Sequence, residues 1–189
     1  RKGYLTLGSF NNPSKLNDRV LEVWGKILNT IPKSRLQIAA VSPGRAQQRI
    51  LSILERAGVK LERVEFIPRL PYRDYLISIT AVDIALDPFP YNGGTTSIDT
   101  LIMGVPVVTL MGDRPIARGG VSLLSNLGLT ELIATTPQDY VNIVRQLAHD
   151  PVWLTALRND LRNRVQTSSL LDGKHFTSQL EALYRQMWR

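Results

Sequence analysis

Short runs rich in aliphatic and β-branched residues alternate with amphipathic helical stretches along the whole chain, and that alternation admits few folds. A strand, a helical crossover and a second strand, repeated, build a parallel sheet with helices on its faces. Tyr4–Gly8 opens the series. Val20, Leu21, Val23, Trp24, Ile27, Leu28 and Ile31 then recur at helical spacing until Pro32. Arg35–Ala40 predicts a second strand, Ile50–Ala57 a helix closed by Gly58, and Val64–Ile67 a third strand. A short helix over Tyr72–Thr80 leads to a fourth strand at Val82–Asp87. The segment after Gly94 is helical to Met103, Val105–Leu110 reads as a buried fifth strand, and a helix near Ala117–Leu127 precedes a sixth at Leu132–Ala134. Thr136-Pro137 and Asp150-Pro151 each place a capping side chain before a proline at the first helical position. The last helix, Gly173–Trp188, carries Phe176, Leu180, Leu183, Tyr184 and Met187 on one stripe, which reads as core packing. The expected fold is α/β: a Rossmann-like, doubly wound parallel sheet, with residues 1–189 as a single domain.

Several function classes drop out on composition. With no cysteine, the chain has neither a disulfide framework nor a Cys-based metal site, and its only histidines, His149 and His175, lack metal-ligand spacing. No metal is expected. No apolar run approaches the roughly 20 residues needed to cross a bilayer, and the start has no signal-peptide h-region. A cytoplasmic protein without a membrane partner is expected. Arg1-Lys2-Gly3-Tyr4 enters a strand-like segment at once and reads as a chain cut at a domain boundary. The formal charge of +7 raises nucleic acid as a partner. Lys and Arg are spread along the whole length, however, without a dense block or aromatic interleaving, so nucleic acid is not the expected partner. A basic cleft for a phosphorylated small ligand fits the same charge.

Open parallel sheets bind ligands beyond the carboxyl ends of their strands. The most unusual of those loops is Asp87-Pro88-Phe89-Pro90-Tyr91-Asn92-Gly93-Gly94-Thr95-Thr96, which follows the fourth strand and opens a helix. Gly93 and Gly94 let backbone approach a ligand, and Thr95 and Thr96 bring hydroxyls to a helix N-terminus that favours phosphate. Thr96-x-x-Asp99 equally fits a capping box, although that does not explain the rigid run before it. A dinucleotide GxGxxG and the Gly-Lys-Ser/Thr of a P-loop are both absent. Asn12 and Lys15, after the first strand, lie at the same edge, as turn chemistry or as a phosphate contact. Arg69 and Leu70, in the stiff loop Pro68–Pro71, can present backbone groups. Tyr72 and Tyr75, one turn apart, fit either a base-facing role or half-buried core. Gly112–Gly120 reads as a glycine-rich flap bearing Arg114 and Arg118, or as a bare loop of solvated charges.

Together these loops resemble one family. Gly8-Ser9-Phe10-Asn11-Asn12…Lys15, Asp83–Thr96 with its Asn92-Gly93-Gly94-Thr95-Thr96, and Met103-Gly104-Val105-Pro106-Val107-Val108-Thr109-Leu110 are similar to the catalytic region of the O-GlcNAc transferase/SPINDLY family. Ser169-Leu170-Leu171-Asp172-Gly173…Phe176 and Leu183–Trp188 extend the likeness across essentially the whole chain. The resemblance implies the C-terminal half of a GT-B glycosyltransferase, whose N-terminal half and tetratricopeptide repeats are not in this sequence. It implies Lys15 as the catalytic contact to the diphosphate with Asn12 beside it, Thr95 and Thr96 on phosphate, Asp99 on the ribose, and Arg69 and Leu70 at the base.

Tyr75 and Tyr72 depart from the O-GlcNAc transferases, and Gly94 from the animal enzymes alone, glycine being usual there in bacterial relatives. Tyr75 stands where O-GlcNAc transferases place a histidine against uracil, Tyr72 where they carry a lysine, and Gly94 where the animal enzymes carry a histidine. The implied activity is transfer of GlcNAc or a related sugar from a UDP-sugar to Ser or Thr of a protein or peptide, with neither cofactor nor metal. GDP-fucose use of the SPINDLY type, a degenerate binding module and a non-transferase GT-B enzyme such as a sugar epimerase are the alternatives. The chain by itself is expected to be inactive.

Overall fold

The computed structural model describes residues 3–188, so Arg1 and Lys2 of the expected boundary lie outside the described residues. Among the described residues six strands form one parallel sheet: β1 (Leu5–Ser9), β2 (Ser34–Ala39), β3 (Val64–Ile67), β4 (Ile84–Leu86), β5 (Val107–Leu110) and β6 (Ile133–Ala134). Their order is β3-β2-β1-β4-β5-β6. The crossovers are α1 (Asp18–Thr30), α2 (Arg45–Arg56), α3 (Tyr72–Thr80), α4 (Thr95–Ile102) and α5 (Gly119–Asn126). Three more helices follow β6: α6 (Pro137–His149), α7 (Pro151–Thr167) and α8 (Gly173–Met187). None of the helices is long and apolar enough to cross a membrane among the described residues.

Chain direction out of the sheet reverses between β1 and β4, which opens a crevice at their carboxyl ends. Neighbouring elements brace that crevice. Asn17 caps α1 by accepting from Val20 N at 3.0 Å, and the buried stripe Val20, Leu21, Trp24, Ile27 and Leu28 seats the helix on the sheet. At α6, Thr136 and Asp139 form a capping box on either side of Pro137, and Asp150 caps α7 at Trp153 N (2.8 Å). The wholly buried Tyr140 of α6 meets Phe89 edge-on, with ring centroids 5.8 Å apart, and its hydroxyl donates to the carbonyl of Asp87 at 3.0 Å. Tyr140→Phe would strand that buried carbonyl and is expected to lower stability by ~1 kcal/mol, read as a shifted urea midpoint at unchanged slope.

Two expectations fail. Val82, Asp83 and Asp87 lie outside β4: the Asp83 carboxylate accepts from Thr6 N (2.7 Å), Val82 N closes a turn onto Ile79 O (3.0 Å), and Asp87 opens the loop that follows. More consequentially, the α8 stripe is not core: Phe176 is 64% exposed, Leu183 53%, Tyr184 59% and Met187 72%. Helical periodicity reports that a face is apolar, not that something within the chain covers it. Here α8 rests chiefly on the turn Ser169–Leu171 and buries none of its residues.

Candidate functional site

The crevice is built around the loop that leaves β4. Asp87, 1% exposed, accepts from Gly93 N at 2.7 Å, from Thr109 Oγ1 of β5 at 2.7 Å and from Ser97 Oγ at 3.5 Å. Those bonds fold Pro88–Gly93 into a tight turn ahead of α4. Gly93 is forced by contact: a Cβ there would overlap Ser97 Oγ and lie 2.9 Å from oxygens of both Asn11 and Asp87. Gly94, by contrast, faces open space. The first intrahelical bond of α4 is Ser97 N to Gly94 O (3.0 Å). The amides of Thr95 and Thr96 precede it and have no acceptor within the helix.

Lys15 enters from the other side of the switch point. It closes the turn Pro13–Lys15, and its ammonium donates to Asn92 O at 2.8 Å and Asn11 Oδ1 at 3.4 Å while lying 4.0 Å from the centre of the Tyr91 ring. Burial pulls its pKa down, and the charge of Asp87 partly opposes that. Asn11 Oδ1 also accepts from Thr96 Oγ1 at 3.0 Å, so one buried amide ties the β1 loop to α4. A cation, two free helix amides and a hydroxyl thus converge where an anion would be held.

Beside this cluster lies a cavity of about 380 Å³ lined by Phe10, Ala40, Pro68, Arg69, Leu70 and Tyr75 among others. It adjoins a second, of about 530 Å³, that shares Phe10, Ala40, Pro68 and Arg69. Tyr75 meets Phe10 edge-on at 6.0 Å and stacks with Tyr72 at 6.1 Å. Both tyrosine hydroxyls donate to Asp99, at 3.3 Å from Tyr75 and 3.5 Å from Tyr72. Burial, with the nearby Asp99 carboxylate, holds the Tyr75 phenol far above its ordinary value, so it stays a proton donor.

The structure therefore brings together Lys15, Asn92, Gly93, Thr95, Thr96 and Asp99, with Arg69, Leu70, Tyr72 and Tyr75 around the adjoining cavity. Thr96 and Asp99 do not form a capping box, since Gly94 is the N-cap and makes no side-chain bond. Asn12 is exposed and spends its side chain on Ser14 N (3.0 Å); the amide beside Lys15 is Asn11. Arg114 and Arg118 are both exposed on a loop that lies against the turn, where Asn92 N donates to Ile116 O (3.1 Å) and Arg118 donates to Gly112 O (3.0 Å). Asn11, Asp87, Thr109 and Phe10 are the participants that sequence reading passed over. Among the described residues no group of three His, Asp or Glu side chains is placed to hold a metal ion.

Residues 4–180 match the family model described as glycosyl transferase family 41. A SPINDLY protein of Petunia hybrida, named as a probable UDP-N-acetylglucosamine–peptide N-acetylglucosaminyltransferase, is 44% identical over 190 residues, which is 99% of this chain and 20% of that protein. A solved O-GlcNAc transferase mutant from Thermobaculum terrenum superposes with a TM-score of 0.94 at 39% identity, over 100% of this chain and 36% of that one. A sucrose-phosphate synthase from Thermosynechococcus elongatus, 19% identical with a TM-score of 0.70 over 98% of this chain and 46% of its own, shares the fold alone. The sheet and its flanking helices match GT-B glycosyltransferase domains. This chain spans about a fifth of the length of the Petunia relative and about a third of the Thermobaculum one.

Proposed function

The chain belongs to glycosyl transferase family 41, and from that premise we propose that it is the nucleotide-sugar-binding half of a GT-B protein O-glycosyltransferase. In this reading GlcNAc, or a related sugar, passes from a UDP-sugar to a Ser or Thr hydroxyl of a protein acceptor. The observation that carries it is the meeting of Lys15, Asn11 and the N-terminus of α4 at the switch point, next to Asp99 and an aromatic-walled cavity. The base occupies that cavity against Arg69 and Leu70, and Asp99, oriented by Tyr72 and Tyr75, takes the ribose hydroxyls. The diphosphate lies over Lys15, Thr95 and Thr96.

As the sugar–phosphate bond breaks, negative charge grows on the departing diphosphate. The Lys15 ammonium and the free amides of Thr95 and Thr96 are already aimed at that place, so they stabilise the charge without reorganising. In this reading they supply the positive charge for which other transferases use a metal. Arg114 and Arg118 ride on the loop laid against Asn92 and close the sugar end. Acceptor contacts and the general base come from outside this chain.

A guanine donor, GDP-fucose, is the second reading. The adjoining cavity of about 530 Å³ favours it, because it gives a purine room that uracil does not need. Calorimetry separates the two: UDP is expected to bind at least about tenfold tighter than GDP, a difference of about 1.4 kcal/mol. GDP tighter by the same factor would transfer the assignment to guanine.

A further inference from the structure

Beneath the anion site lies a charged group that the transfer reaction as described does not use. Asp87 is wholly buried at the end of β4, with Gly93 N, Thr109 Oγ1 and Ser97 Oγ donating to it. The backbone is pared down around it from two directions. A Cβ on Gly93, before α4, or on Gly120, in the first turn of α5, would stand 2.9 Å from one of its oxygens. Its main-chain carbonyl is held as well, by Tyr140 of α6.

We propose that Asp87 is the positioning residue of the diphosphate site: its carboxylate fixes the Gly93 amide and so sets where the Asn92 carbonyl, Lys15 and the first turn of α4 meet. The chain of contacts is short. Asp87 holds Gly93; the peptide before Gly93 carries the carbonyl that receives Lys15; and the residues after it open α4. Thr109 holds the other carboxylate oxygen and so anchors the turn to β5. Loosening this clamp moves the groups that face phosphate and leaves the cavity of Phe10, Arg69 and Tyr75, which Asp87 does not touch.

The charge on Asp87 comes at a cost to the fold. Burial pushes the Asp87 carboxyl up to about 6 despite the donors and Lys15 pulling it down. A group that binds its proton more tightly folded than unfolded favours the fold at low pH, and that contribution is lost as the pH rises through about 6. Near neutrality the ionised carboxylate therefore weighs against the fold. Such a carboxylate, kept at a ligand crevice, points to a functional rather than a packing role.

The inference rests on the reading of this crevice as a nucleoside diphosphate site, and the test separates the two. Affinities for UDP and for uridine are measured by calorimetry on the chain, on Asp87→Ala and on Asp87→Asn, whose amide still accepts from Gly93 and can donate to Thr109. Asp87→Ala is expected to weaken UDP at least tenfold more than uridine, and Asp87→Asn to recover most of that difference. Should Asp87→Ala fail to fold, Thr109→Val, which removes one clamping hydroxyl at equal size, is expected to weaken UDP selectively. Equal losses for both ligands, or none, in the folded variants would overturn the role of Asp87. If the unaltered chain binds no nucleoside diphosphate at all, the site reading itself fails, whatever the variants do.

Discussion

Replacing Lys15 with alanine is expected to weaken UDP binding by roughly 1.5–3 kcal/mol, a factor of about ten to a hundred, while uridine affinity stays within about twofold. The ammonium has two oxygen partners, the Asn92 carbonyl and the Asn11 side chain, and the face of Tyr91 beside it. It is already partly desolvated, since burial lowers its pKa. An incoming phosphate therefore finds a cation that has lost part of its hydration and is held in place. That is the setting in which a charge-assisted bond exceeds an exposed ion pair. The cavity of Phe10, Arg69 and Tyr75 does not include Lys15, so the nucleoside part has no reason to respond. Calorimetric titration of both ligands against both proteins decides it. Equal losses for UDP and uridine would remove Lys15 from the phosphates.

The order of strands and crossovers was legible because a parallel sheet writes itself twice: as short β-branched runs and as helical stripes between them. Val64–Ile67 and Tyr72–Thr80 fall where the periodicity placed them, and Thr136 and Asp150 cap α6 and α7 as their prolines announced. The loop that opens α4 was legible for a related reason. Paired glycines and threonines at a helix start have few purely structural uses, so Gly93, Gly94, Thr95 and Thr96 stood out from their spacing. Tyr75 could be read two ways from sequence; in the structure its ring packs half-buried against Phe10, as the core reading had it, while its hydroxyl reaches Asp99.

What sequence did not yield depends on contacts between distant segments. Asn11 and Asn12 are equivalent in a turn-forming Asn-Asn-Pro-Ser; only the folded loop shows that Asn11 accepts from Thr96 while Asn12 caps Ser14. Asp87 looked like the end of a strand before Pro88. Its partners Thr109 and Ser97 lie 22 and 10 residues away, and no spacing rule connects them. The α8 stripe misled for the opposite reason, since its local pattern is strong but nothing among the described residues buries it.

The chain by itself is expected to bind the donor nucleotide and to transfer no sugar. In a two-half transferase the acceptor hydroxyl, the base that takes its proton and the donor carbon must be held together, and proximity and orientation account for much of the rate. This chain offers one side of that arrangement. In the proposed reading Lys15 and α4 supply the leaving-group pole, but the crevice opens to solvent, with Tyr91 50% exposed beside Lys15 and Tyr72 67% exposed at the cavity mouth. Without an opposing wall the acceptor has no surface to bind, and water meets the donor carbon as readily as any peptide hydroxyl. The superposed Thermobaculum transferase matches this chain over 36% of its length, and the Petunia protein over 20%. The experiment incubates the chain with labelled UDP-GlcNAc and a Ser/Thr peptide, alone and then with the remainder of the Thermobaculum enzyme supplied in trans. No labelled peptide is expected from the chain alone. Label appearing only in the mixture, and vanishing with Lys15→Ala, would place the diphosphate machinery in this chain and the acceptor machinery outside it. Turnover by the chain alone, abolished by Lys15→Ala, would show that acceptor site and general base both lie within residues 1–189.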